Sequence, residues 1–397
     1  MKVSERTKVI KPAVTLAIAA KAQKLREQGV DLVNFSAGEP DFDTPEHIKE
    51  AAIQALRKGM TKYTDVRGIE PLREAIVEKY QHDYGLSYTK EEVLVSCGGK
   101  HALYNVFQAI LDQGDEVIIP SPYWVSYQDM VLLCDAVPRI LSTKEENGFR
   151  ITPAELQAAL TPRTRAFILN SPSNPTGAAY DREDLAALSR VLEPHECLIF
   201  SDDIYEKIVY DKFSFYSIVT INPKLRERTI IFNSVSKTYA MTGWRIGYAI
   251  GLAPVISAAA KIQSQSTSNP TSIAQAAALE ALRGPQDKVA EMVREFQKRR
   301  DAIVKNLNAM EGIRCFNPQG AFYVFPNIRP LLGKKAKGKK IESACDLAEF
   351  LLEEAQVAAV PGEDFGSAEN IRFTYATSLK EVEKGCERIE AAIKKLE

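Results

Sequence analysis

At 397 residues the chain has length for about two to three domains, with 45% hydrophobic and 26% charged residues, the balance of an ordinary globular protein. Lys+Arg is 51 against Asp+Glu 52, so no general field favours nucleic acid or an anionic membrane. No apolar run is long enough for a bilayer, and the polar opening MKVSERTKVIKP carries no signal-peptide core, so a cytoplasmic protein is expected. Six cysteines without a Cys-x-x-Cys pair read as reduced structural thiols, and four histidines without ligand spacing argue against a metal.

Residues 13–28, AVTLAIAAKAQKLREQ, read as a helix stopped by Gly29. DLVNFSAGEPDFDTPEHI follows as a short strand and a Gly/Pro-broken loop, which by itself is a plain turn. From Pro45 to about 290, helical stretches alternate with short apolar strands: 93–96, 116–120, 166–170, 197–203 and 229–233. Strands apolar on both faces imply a mostly parallel sheet covered by helices on each side, an α/β fold. In such sheets ligands bind at the C-terminal strand ends. Gly98-Gly99-Lys100, Tyr123-Trp124, Asn174, Asp202 and Lys237 all fall there. A long amphipathic helix is expected over 284–310, bridging to a smaller unit with strands at 320–327, 357–362 and 371–378 and a C-terminal helix. The basic run GKKAKGKK, 333–340, reads as a solvated loop.

The densest chemistry lies in Asn233 to Tyr248, NSVSKTYAMTGWRIGY, after an apolar strand. Lys237 has no carboxylate close in sequence. At the mouth of a buried strand it can lose solvation and be driven toward the neutral amine, the nucleophile that forms a Schiff base with an aldehyde. Ser234 and Arg245 could hold a phosphate beside it. An aldehyde and a phosphate on one small molecule describe pyridoxal 5′-phosphate. Gly98 and Gly99 stand between a strand and a helix start, where backbone N–H groups bind phosphate, although Gly-Gly is also a common turn. Trp124 could be core or could stack on a flat ring. Asp202, after a buried strand, needs a partner, and a pyridinium nitrogen would serve; Asp203 competes for that role. Arg372 lies in an apolar strand, where an arginine is costly unless paired, and a carboxylate pairs with it bidentately.

Ser-x-Ser-Lys followed by Met-Thr-Gly-Trp-Arg-Ile-Gly-Tyr resembles the lysine motif of the class I, fold type I aminotransferases, closest to the prokaryotic-type aspartate group. The likeness runs from about residue 8 to the end. It implies a large domain, 45–289, built on a seven-stranded sheet, and a smaller α+β domain, 290–397, joined by the segment 1–44. It implies pyridoxal 5′-phosphate on Lys237, Asp202 rather than Asp203 on the ring nitrogen, and Asn174 and Tyr205 on the phenolic oxygen. The phosphate would meet Gly98, Gly99, Lys100, Ser234 and Arg245, and Tyr63 from the second subunit of a homodimer. Gly38, Lys100, Trp124, Asn174 and Arg372 would contact substrate, Arg372 at the α-carboxylate. Asp203 stands where this subgroup usually has glutamate. The implied reaction is a ping-pong exchange between aspartate and 2-oxoglutarate. Thr15 and Lys100 also resemble the pair found in dual aspartate/prephenate members, so an aromatic or prephenate aminotransferase is the alternative. β-Elimination uses the same scaffold. A binding regulator would need a DNA-reading helix pair that residues 1–45 lack.

Overall fold

The computed structural model describes residues 2–10, 20–22, 24–25 and 27–397, so Thr15 and much of the helix expected over 13–28 lie outside the described residues. Fourteen strands are present among them. β1 is Val33–Asn34. A seven-stranded sheet is built from β2 (Val93–Ser96), β3 (Glu116–Ser121), β4 (Val137–Ser142), β5 (Thr164–Asn170), β6 (Leu198–Asp202), β7 (Thr229–Ser234) and β8 (Gly247–Ile250). Their order is β2-β8-β7-β6-β5-β3-β4. Only β8 runs antiparallel to its neighbours, so β2 and β7 are parallel to each other and to the rest.

Alternate residues of the central strands feed two different cores. Phe167, Leu169, Ile199 and Ile231 pack under helices Glu70–Tyr84, Arg182–Leu192 and Ser272–Arg283. Ile168, Phe200 and Phe232 face the helix Gly99–Ile110, and Ile256 and Ala259 of the helix Ala253–Ser266 join that core. This period-two division of wholly apolar runs is what a doubly covered parallel sheet requires. In this sheet, β4 and β8 are the strands not anticipated. β4 is a half-exposed edge, and β8 begins inside the Arg-Ile-Gly-Tyr motif, at its glycine, and runs two residues past it.

Outside this sheet, β9 (Tyr323–Val324), β13 (Val360–Pro361) and β14 (Ile371–Thr374) form a three-stranded antiparallel sheet, while β12 (Val357–Ala358) pairs in parallel with β1. The run 357–362 is therefore split between two sheets rather than forming one strand. The long helix Asp287–Asn308 matches its expected extent. The basic run is solvent-exposed, as expected, but ordered rather than a plain loop: β10 (Lys335–Ala336) and β11 (Lys339–Lys340) make a short hairpin. Lys337 and Lys339 pair with Glu354 at 2.5 Å and Glu349 at 2.7 Å on the helix Ala344–Glu354, whose acidic face neutralises the lysines.

Phe200 lies two residues before Asp202, stacks on Phe107 at 4.9 Å and meets Phe232 edge-on. Phe200→Ala should cost about 3–5 kcal/mol of stability by opening a cavity where the sheet cannot collapse. Denaturant unfolding measures this, and a loss under 1 kcal/mol would mean that this core repacks freely.

Candidate active site

The C-terminal ends of the parallel strands meet one cavity of about 710 Å³, lined among others by Gly38, Gly99, Lys100, Trp124, Tyr127, Asn174, Asp202, Tyr205, Lys237, Arg245 and Arg372. Register explains the convergence. Asn170 pairs with Asp202, and Asp202 with Phe232, across β5, β6 and β7. Ser96 and Ser234 both pair with Gly247, so the glycine turn and the lysine turn leave the sheet side by side.

Lys237 sits on the short helix Val235–Thr238, with Ser234 as its N-cap accepting from the Ser236 N–H at 2.8 Å. Its Nζ donates to the Gly38 carbonyl at 2.5 Å. Burial lowers its pKa to about 8; Arg372 and Arg245 add to this, and Glu39 and Asp202 oppose it. An amine that sheds its proton near neutrality suits a nucleophile and base.

Asp202 faces the cavity with its carboxylate raised to about 6 by burial, against the stabilising hydrogen bonds of Tyr127 and the Ile204 N–H. The Tyr127 hydroxyl donates to Asp202 Oδ2 at 2.5 Å and is itself buried. Asp203 turns away from the cavity. Its Oδ1 accepts from Ser201 at 2.6 Å, its Oδ2 has no partner, and burial pushes its pKa well up, which favours the neutral acid. Of the two acids, Asp202 is the one a cationic ring nitrogen could reach.

Arg372, on β14, is 3% exposed. It donates to Asn174 Oδ1 at 3.0 Å and to the Ser36 carbonyl at 2.9 Å, and lies 4.5 Å from the Tyr323 ring centre. Its Nε is buried without a partner, a donor that an incoming carboxylate would satisfy. Because Asn174 spends its oxygen on Arg372, its Nδ2 is left as the remaining donor. Tyr205 shares a 2.9 Å hydrogen bond with Tyr323. Lys100 places its Nζ 5.0 Å from the Trp124 ring centre, and burial lowers its pKa.

The glycine turn suits a phosphate. Gly98 has φ 94 as the residue preceding the helix Gly99–Ile110, and a Cβ there would lie 2.3 Å from Arg245 Nη2. A Cβ on Gly247 would lie 2.2 Å from the Gly99 nitrogen. Side chains at either position would close the space between the helix N-terminus and the guanidinium. Arg245 is held by the Thr242 carbonyl at 2.7 Å, in the left-handed conformation with φ 56. Glycine turn, guanidinium, buried acid and amine thus fit a phosphorylated pyridine aldehyde.

Not every expected residue lines the cavity. Ser234 is buried beside Gly99, its hydroxyl used as a helix cap, and Gly98 lies behind Arg245. Tyr63 is 91% exposed, outside the cavity of its own chain. Sequence reading missed Tyr127, Tyr323, Glu39 and Asn170. Tyr127, a hydroxyl on the first turn of a helix after a buried strand, and Asn170, the amide that ends β5, carried a local signal; Tyr323 and Glu39 reach the cavity through distant packing.

In the full-length protein free of cofactor, a small amine-acylating reagent should modify Lys237 at a rate half-maximal near pH 8. Exposed lysines should keep accelerating toward their usual pKa of about 10.4. Peptide mapping across pH separates them, and a Lys237 rate still climbing at high pH would show an ordinary, solvated amine.

Residues 30–389 match the family described as aminotransferase class I and II. An aspartate/prephenate aminotransferase of Cereibacter sphaeroides is 53% identical over 96% of this chain and 96% of its own. An aspartate aminotransferase of Geobacillus stearothermophilus is 49% identical over 98% of both. The crystal structure of the Rhizobium meliloti aspartate aminotransferase superposes with a TM-score of 0.96 at 47% identity, covering 100% of each chain. That of Thermus thermophilus aspartate aminotransferase with maleate gives 0.93 at 46%, covering 99% and 100%. With a match to the family pattern over most of its length and relatives about half identical from end to end, the chain belongs to the class I and II aminotransferases.

Proposed function

We propose that this aminotransferase uses pyridoxal 5′-phosphate to exchange an amino group between aspartate and 2-oxoglutarate, giving oxaloacetate and glutamate. The observation that carries it is the single cavity joining a depressed lysine, a buried acid and an arginine whose Nε lacks a partner. Bound there, the cofactor would supply an aldehyde that takes up amino groups and a ring that disperses the charge left when the α-proton departs.

The chain's own residues do the rest. Lys237 would hold the cofactor through Nζ, and its free amine would take and return the α-proton. Its position against the Gly38 carbonyl fixes where that proton is collected. Asp202 keeps the ring nitrogen protonated, and the Tyr127 hydroxyl holds the carboxylate in place. Asn174 and Tyr205 donate to the phenolic oxygen. Gly99 and Arg245 would receive the phosphate, with Gly98 shaping the turn and Ser234 capping the lysine helix behind it, and Trp124 would cover the ring. Arg372 pairs with the α-carboxylate, which orients the α-proton toward Lys237. The assignment of residues 45–289 to cofactor binding, with 290–397 and 1–44 as the smaller unit, agrees with β2–β8 all falling in the first range.

Substrate choice turns on the distal group. Arg372 serves any amino acid, and Lys100 is the cavity cation not committed to the phosphate, the α-carboxylate or proton transfer. Maleate, named with the Thermus structure, is a dicarboxylate, and prephenate also bears a second carboxylate, so the name of the Cereibacter relative supports prephenate as a second substrate. A panel of amino donors and oxo acceptors tests the reading, and failure to transfer from aspartate would reject it. Lys100→Ala should lower kcat/KM for aspartate by about ten- to a hundredfold and leave alanine or phenylalanine nearly unchanged. An equal loss for all donors would assign Lys100 to the cofactor instead.

We further propose a homodimer in the cytoplasm, in which Tyr63 serves the second copy's phosphate. The exposed phenol supports this, as do Ile53 and Leu56, apolar and exposed on the helix Glu46–Arg57 nearby in sequence. No helix among the described residues is long and apolar enough to cross a membrane. Sedimentation should find the active species as a two-fold dimer, and an active monomer would exclude the role of Tyr63.

A further inference from the structure

Beneath the glycine turn lies a buried glutamine that the reaction does not use. Gln263, on the helix Ala253–Ser266, is fully buried. Its Nε2 donates to the carbonyl of Val95 at 2.8 Å and to that of Val66 at 2.6 Å. Its Oε1 accepts from Ser96 Oγ at 2.6 Å and from Asn105 Nδ2 at 2.9 Å. All four hydrogen-bonding positions of the amide are therefore filled, each toward a backbone or side chain with a stake in the phosphate end of the cavity.

The four partners fall into two groups. Val95, Ser96 and Asn105 bracket the turn: β2 runs into it, and the helix that carries Asn105 leaves from it. Val66 belongs to the segment that follows Tyr63. That segment is also tied to β2 by the Val95 N–H donating to the Arg67 carbonyl at 3.0 Å. Gly68 presses against β2 so closely that a Cβ would lie 2.7 Å from Val95. A second fully buried amide, Gln275, holds the same segment, donating to Thr64 Oγ1 at 3.1 Å and accepting from the Ile69 N–H at 2.7 Å. An exposed phenol would thus stand on a segment clamped to the strand that ends in the glycine turn.

We propose that Gln263 is a positioning residue that sets the spacing between the glycine turn and the Tyr63 segment, and so fixes both elements that meet phosphate in a site shared by two copies. The inference rests on the proposed cofactor and dimer. An apolar side chain cannot substitute, since it would strip a buried carbonyl (Val95), a part-buried one (Val66), the buried Ser96 hydroxyl and one N–H of Asn105 of the partner they now have. Gln263 and Ser96 do not titrate. His101 borders the clamp, its Nδ1 3.5 Å from Asn105 Nδ2 and accepting from the Cys97 N–H at 3.3 Å, and burial holds its pKa below the usual imidazole value. The effect on affinity for phosphate-bearing ligands should therefore be read above neutral pH, where it should not vary.

The test compares pyridoxal 5′-phosphate with pyridoxal, which lacks the phosphate, as ligands of the full-length protein freed of cofactor, followed by absorbance. The unaltered protein should prefer the phosphorylated form; no preference would reject the cofactor reading itself, independently of Gln263. Gln263→Met should lose on the order of tenfold in affinity for pyridoxal 5′-phosphate while its affinity for pyridoxal holds. Ser96→Ala, which removes one bond and leaves the amide in place, should shift the same preference by about two- to threefold and keeps the test open if the methionine variant does not fold. Because Gln263 acts partly through Tyr63, the losses from Gln263→Met and Tyr63→Phe should be less than additive in the double variant. Equal losses for the two ligands, or fully additive losses, would overturn the proposal and leave Gln263 as ordinary core support.

Discussion

The organising constraint is the cost of burying charge where a parallel sheet ends. Six strands deliver polar residues to one edge, and an unpartnered ammonium or carboxylate there would be expensive. The structure resolves this in two ways. Lys237 and Asp202 are moved toward their neutral forms, to about 8 and about 6. The buried Arg372 is spread over the Ser36 carbonyl and the Asn174 amide oxygen, which lowers its cost without neutralising it. The same solvent exclusion that makes these groups costly makes them reactive, because each is short of the partner that a ligand would bring.

A second consequence is that the cavity needs a cover drawn from elsewhere in the chain. The segment after β1 provides it. Gly38 accepts from Lys237, and Glu39 accepts from Thr242 at 2.6 Å. Asp41 pairs with the buried Arg299 of the long helix at 2.7 Å, and Phe42 packs edge-on against Phe296. Thr44 donates to the Ala240 carbonyl at 2.7 Å and accepts from Trp244 Nε1 at 3.0 Å. Five positions between 38 and 44 thus connect the lysine turn to the helix that begins the C-terminal part. The turn is itself framed by Ala240 and Arg245 at positive φ, a conformation that these contacts hold in place.

Buried polar networks extend the same logic away from the cavity. Asn233 precedes the lysine turn and donates to Glu206 at 2.8 Å, while Glu206 pairs with the buried Lys79 at 2.6 Å and accepts from Tyr84. Asn233 also accepts from the Ser234 N–H at 2.7 Å, so the end of β7 is tied to the helix Glu70–Tyr84. Each link places a fully paired polar group behind a residue that must not move, where an apolar side chain would pack but not orient.

Much of this was legible in the chain itself. Apolar runs with no polar face announced strands covered on both sides, and their spacing announced helices between them. Lys237, Asp202 and Arg372 were identifiable because a charged side chain at the end of, or within, such a run must be doing something other than packing, and Asn174 through the resemblance of its turn to a family motif. The edge strand β4 was not legible, since a half-exposed strand has no continuous apolar run. Nor was β8, which begins inside a motif read for its chemistry. What the sequence determined by itself was the set of groups and their order along the sheet. Only the tertiary structure decided which of two adjacent acids faces the cavity, that Tyr127 holds it, and that Tyr63 stands outside. Those outcomes depend on strand register and on contacts between residues up to hundreds of positions apart, and neither is written in local pattern. A one-residue change of register would exchange Asp202 for Asp203, because successive side chains on a strand point to opposite faces.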